Sequence, residues 1–199
     1  DPLAVKWLIQ VPAPQHEDGL SDVDRLSRAI QREWGSLDVA YPIGILRNVA
    51  EVLRDEAGEG TVTLVRDAKK MNVVRLEPGD QTTRNYAIAV DIGTTTVAVQ
   101  LIHLTMGAIL GTHSAYNDQI ACGQDVISRI NYAQRPGGLE TLRARVLETV
   151  NRLLDELVRR YDIAPGEITN AVISANTTMT HLVLGVNPEY IRLAPYTPA

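Results

Sequence analysis

Hydrophobic and polar positions divide the chain into two regimes on either side of a polar stretch at residues 77–85. Before it, residues 5–11 (V-K-W-L-I-Q-V) partly alternate, as a strand does, and Pro12 and Pro14 close the run. Ser21 followed by Asp24 has the form of a helix cap, and Val23, Leu26, Ile30 and Trp34 then recur at helical steps until Gly35. A second helix is expected from Pro42, with Ile43, Leu46, Val49, Ala50 and Leu53 on its apolar face and Gly58 beyond its end. Residues 61–65 and 71–76 are short strand-like runs joined by the polar Arg66-Asp67-Ala68-Lys69-Lys70. The order β-α-α-β-β predicts a small α+β domain over residues 1–80, its two helices covering one face of the sheet.

Residues 81–85 read as a linker. Beyond them the patterning becomes β-rich: apolar runs at 86–91, 97–104 and 108–116, separated by tight polar turns, predict a three-stranded antiparallel meander. A polar loop at 117–123 leads into a helix over 124–133 with Val126, Ile127 and Ile130 as its buried side. Pro136-Gly137-Gly138 precedes the clearest helix of the chain, where Leu139, Leu142, Val146, Val150, Leu153, Leu157 and Tyr161 repeat at three- and four-residue steps. A fourth strand follows at 168–174, and Asn176 or Thr177 caps a helix carrying Met179, Leu182 and Val183.

The turn between the first two strands of this second part holds the candidate chemistry. Asp91 ends one strand, Gly93 follows, and Thr94, Thr95 and Thr96 lead into the next. Gly93 permits a tight turn, threonine amides and hydroxyls can converge on phosphate oxygens, and an aspartate at a strand end can hold a hydrated Mg2+. An ordinary hairpin rich in threonine is the bland alternative, since threonine is a strand former. Neither G-x-x-x-x-G-K-S/T nor G-x-G-x-x-G before a helix occurs here. Asn176 can cap its helix or face a phosphate. Asp125 falls in a first helical turn, where an acid is favoured regardless of function. Cys122 lacks a flanking base and His181 a second ligand at helical spacing, so both read as packing residues.

Composition narrows the choice. The 199 residues are 45% hydrophobic, enough for real cores, and the net charge of -5 comes from interspersed acids and bases, which argues against a nucleic-acid partner. A single cysteine excludes an internal disulfide, a multi-cysteine zinc site and an all-cysteine iron–sulfur cluster within these residues. No apolar run reaches the length of a membrane span and no signal peptide is visible at the N-terminus, so a cytoplasmic location and no membrane partner are expected.

Four separated segments then carry a resemblance: A-V-D-I-G-T-T-T-V-A, N-D-Q-I-A-C-G-Q-D-V-I-S-R-I-N-Y-A, I-S-A-N-T-T-M-T-H-L-V-L-G and A-P-Y-T-P. In this order they resemble reductive activators of corrinoid proteins, within the actin-like (ribonuclease H-like) ATPase superfamily. The resemblance implies that residues 86–199 are the first, incomplete lobe of an actin-like ATPase domain, preceded by the family's α+β middle domain. It implies ATP and Mg2+ as cofactors, a 2Fe–2S cluster in the parent protein only, and ATP-driven return of a Co(II) corrinoid to Co(I) on a partner protein of a methyltransferase system. By motif, Asp91 would orient Mg2+ through water; Gly93, Thr94, Thr95 and Thr96 would bind phosphates, with Asn176 and Asp125 as further cofactor-binding positions. The chain reads as a fragment, inactive by itself, since the second phosphate loop and the adenosine loop have no match. Two alternatives stay open: a small-molecule kinase of the same superfamily, and a non-catalytic module that docks or forms a homodimer through the long helix.

Overall fold

The computed structural model describes residues 3–17, 19–35, 38–55, 58–67 and 70–199. They form two compact units, residues 1–85 and 86–199, each a mixed α+β assembly around its own four-stranded sheet.

In the first unit β1 (Ala4–Gln10) pairs antiparallel with β3 (Glu59–Asp67), β3 pairs with β4 (Lys70–Pro78), and the two-residue β2 (Val39–Ala40) adds a parallel edge to β4. The expected order β-α-α-β-β lacked β2, which is too short to show any period. The turn expected through Ala68 and Lys69 lies outside the described residues. Helix α1 (Asp22–Trp34) starts as expected: the Ser21 hydroxyl accepts from the Asp24 amide and the Asp24 carboxylate accepts from the Ser21 amide. Helix α2 (Ile43–Asp55) corrects the expected face. It buries Ile45, Val49, Val52 and Leu53, while Ile43 and Leu46 are exposed. Both sets satisfy helical spacing, and packing on β3 and β4 selects between them. With Leu26 and Ile30 of α1 and Val62, Leu64, Val73 and Leu76 of the sheet, these residues form one core.

The second unit has strand order β7-β6-β5-β8. Strands β5 (Tyr86–Ile92), β6 (Thr96–His103) and β7 (Ala108–Tyr116) are the expected meander, and β8 (Ile168–Ala175) returns parallel to β5. Ile88, Val90 and Ile92 alternate into a core shared with Val97, Val99 and Leu101 of β6 and with Leu142, Val146, Leu153 and Leu157 of the long helix α4 (Gly138–Arg160). Asp91, odd in that alternation, falls on the other face and is exposed.

The helix expected over 124–133 is shorter and turned. A 3-10 turn at Asp118–Cys122 precedes α3 (Val126–Ala133), which buries Arg129 and Ile130 and leaves Ile127 exposed. Arg129 lies three residues after Val126, so helical spacing allows it on the inner face; expecting only apolar residues there hid it. Helix α5 (Thr177–Leu184) has Asn176 as its cap, with the side chain accepting from the Met179 amide at 3.0 Å. Among the described residues no helix is long and apolar enough to cross a membrane.

Candidate functional site

The site is built where β5 and β8 end side by side. Their parallel pairing sets Asp91 beside Ser174 and Ile92 beside Ala175, so the β5–β6 turn and the start of α5 share one edge of the sheet. Ligands commonly bind outside the carboxyl ends of parallel strands.

Within the turn, the Gly93 amide donates to the Thr96 carbonyl at 2.9 Å. Glycine is needed here for close approach: a Cβ at position 93 would lie 2.7 Å from the Thr96 carbonyl oxygen. The remaining carbonyls of the turn face inward onto polar partners. Asn117 Nδ2 donates to the Gly93 carbonyl at 2.9 Å, the Asn117 amide to the Thr95 carbonyl at 2.8 Å, and Arg129 Nη2 to the Thr94 carbonyl at 2.6 Å. Among the described residues the Thr94 and Thr95 amides meet no acceptor. A turn with its carbonyls engaged and successive amides open is a cradle for an anion.

Asn176 stands beside this cradle, its Nδ2 reaching Thr94 Oγ1 at 3.4 Å while its Oδ1 caps α5. The first amides of that helix add donors on the same side. The Asp91 carboxylate accepts no hydrogen bond among the described residues. No group of three or more His, Cys, Asp or Glu side chains converges among the described residues. One free carboxylate at the rim nevertheless suits a Mg2+ that keeps most of its waters and takes its other ligands from phosphates.

Asp125 has a different occupation. It caps α3, accepting from the Ser128 amide at 2.8 Å, while the Ser128 hydroxyl closes a capping box. The Ser128 amide holds the Asp125 carboxyl below its ordinary pKa, against an opposing desolvation. Cys122 is half-buried. His181 is buried, with Nδ1 on the Thr177 carbonyl at 2.8 Å.

What the sequence reading missed is the polar layer under the turn: Asn117, Gln119 and Arg129, all fully buried. Gln119 accepts from Arg129 Nη1 at 3.0 Å and donates to the Leu142 carbonyl at 2.9 Å. The visible signal was the run N-D-Q after a strand, with an arginine ten residues beyond its glutamine on an otherwise apolar helix face.

Known proteins with the same sequence features share this fold. Residues 86–199 match the family model described as the RACo middle region, and residues 1–83 the one described as the RACo linker region. The corrinoid activation enzyme RamQ of Eubacterium limosum is 41% identical over 112 residues, covering 56% of this chain and 19% of that protein. A solved structure of a reductive activator for corrinoid, iron-sulfur protein matches at 40% identity with a TM-score of 0.89, covering 100% of this chain and 32% of that one. The chain thus spans a third or less of the length of these relatives.

Proposed function

The chain belongs to the RACo family, and from that premise we propose that it supplies the nucleotide-phosphate end of an ATP-dependent reductive activator of a corrinoid protein. The observation that carries the reading is the inverted turn at 93–96, with its carbonyls held from below and the Thr94 and Thr95 amides open at the strand ends. The second unit is then the first lobe of an actin-like ATPase domain. Its meander, crossover helices, parallel β8 and capped α5 support that assignment.

In this reading Gly93 lets the turn close, and Thr94, Thr95 and Thr96 bind phosphate oxygens through amides and hydroxyls. Asp91 holds Mg2+ through water, and Asn176 orders Thr94 from the side. Bound Mg2+ would neutralise phosphate charge. Asp125, committed to its helix cap, has only an indirect part. Cys122 alone cannot ligate a 2Fe–2S cluster, so the cluster belongs to another part of the full-length protein. ATP binding and hydrolysis at the completed cleft drive electron transfer that returns a Co(II) corrinoid to Co(I) on a partner of a methyltransferase system, in the cytoplasm.

The test is spectroscopic. Full-length protein should carry iron–sulfur absorption and, with reductant and Mg-ATP, convert the Co(II) band of its corrinoid partner into the Co(I) band. A colourless preparation that leaves the corrinoid spectrum unchanged would contradict the proposal.

A further inference from the structure

Arg129 is among the largest fully buried side chains of the molecule, and its neighbours do not neutralise it. Its Nε donates to the Gly123 carbonyl at 2.9 Å, Nη1 to Gln119 Oε1 at 3.0 Å and to Met179 Sδ at 3.4 Å, and Nη2 to the Thr94 carbonyl at 2.6 Å. Every acceptor is uncharged. Among the described residues no carboxylate lies within ion-pair distance of the guanidinium. Asp125, four residues away, is turned to the Ser128 amide. Burial lowers the Arg129 pKa, and Cys122 and Asp125 oppose it more weakly; arginine stays charged under such conditions.

Taking a charge out of water without a counter-ion is costly, and a neutral side chain could have packed α3 without that cost. The charge is also not randomly placed. One end of its fork grips the carbonyl of Thr94, and the amide in that same planar trans peptide is that of Thr95, which points away from the guanidinium and meets no acceptor among the described residues. We propose that Arg129, braced by Gln119, is a positioning residue for the phosphate turn: it fixes the Thr94–Thr95 peptide with the Thr95 amide outward and supplies from beneath a positive charge that the phosphates complete. The inference rests on the phosphate-site reading of residues 91–96. It assigns Arg129 no contact with nucleotide. Its effect passes through the Thr94–Thr95 peptide and through the positive charge it places beneath the cradle.

Calorimetric titration of the full-length protein with Mg-ATP, alongside thermal melts, tests it. Arg129→Gln should bind Mg-ATP roughly tenfold or more weakly, as loss of a charge-assisted bond implies, and Arg129→Lys should recover part of that loss. Gln119→Glu places a counter-ion on Nη1 and should also weaken binding although the fold is kept. Leu153→Ala, which removes packing from the same core away from the turn, should lower the melting temperature and leave the dissociation constant within about twofold. Arg129→Gln binding as tightly as wild type overturns the inference and leaves the phosphate site standing. If Arg129→Gln does not fold, Gln119→Glu decides, and wild-type affinity there overturns the inference equally. Leu153→Ala weakening Mg-ATP as much as Arg129→Gln reduces Arg129 to ordinary core packing. A wild type that binds no Mg-ATP overturns the phosphate-site reading itself.

Discussion

At the scale of single residues, the turn depends on Gly93 through crowding: a Cβ there meets the Thr96 carbonyl oxygen at 2.7 Å, a backbone atom that cannot swing aside. Gly93→Ala is therefore expected to destabilise the second unit by about 1–2 kcal/mol, read as a lower urea midpoint; an unchanged midpoint would count against the contact. Asp125 makes a pH-dependent contribution whose sign is fixed by its environment. Its folded pKa is depressed, first by the Ser128 amide, so the stability it adds is present above the unfolded value of about 3.9 and is lost as pH falls through the lower folded value. Asp125→Ala should unfold at lower urea than wild type at neutral pH. The gap should narrow as pH falls through the depressed carboxyl pKa, and a gap undiminished in acid would show that the carboxylate is not its source.

At the scale of elements, α4 is held to the sheet by an interlock at β7. Gly111 leaves room that Tyr161 and Leu157 occupy, since a Cβ there would lie 2.9 Å from the tyrosine ring and 3.1 Å from the leucine. The Tyr161 hydroxyl donates to the Leu110 carbonyl. Leu157→Ala should cost about 2–5 kcal/mol, measured by equilibrium unfolding, with a loss below about 1 kcal/mol arguing that the helix is not packed as described. Long elements such as α4 and the β5–β6–β7 meander were legible because their periods run for many residues. The buried faces of α2 and α3 were not, because apolar residues on both satisfied helical spacing more than one way and only the sheet beneath chooses. The site divides along the same line. Asp91 to Thr96 are contiguous and could be read directly, whereas Asn117 and Arg129 reach the turn from 24 and 35 residues away. A buried arginine looks, in sequence, like a solvated one.

At the scale of the whole molecule, the chain covers 32% of the reductive activator it matches, and in the proposed function the cradle would meet a nucleotide from one side only. Phosphate contacts from one side leave the transition state largely in water. The chain by itself is accordingly expected to hydrolyse ATP no faster than the buffer background, and robust turnover would mean that it holds the complete catalytic apparatus. A homodimer through α4 is disfavoured by the burial of its apolar stripe within the unit's own core.

The most direct measurement is the ATP-hydrolysis rate of the full-length protein with and without a corrinoid protein, for wild type and Asp91→Asn. Asp91 accepts no protein hydrogen bond among the described residues, so its loss should spare the fold. The wild-type rate should rise with the corrinoid protein, and the Asp91→Asn rate should be lower by about a hundredfold or more, as removal of a group that orients the metal implies. A rate indifferent to the corrinoid protein, or an Asp91→Asn enzyme that hydrolyses ATP like wild type, would contradict the proposed function.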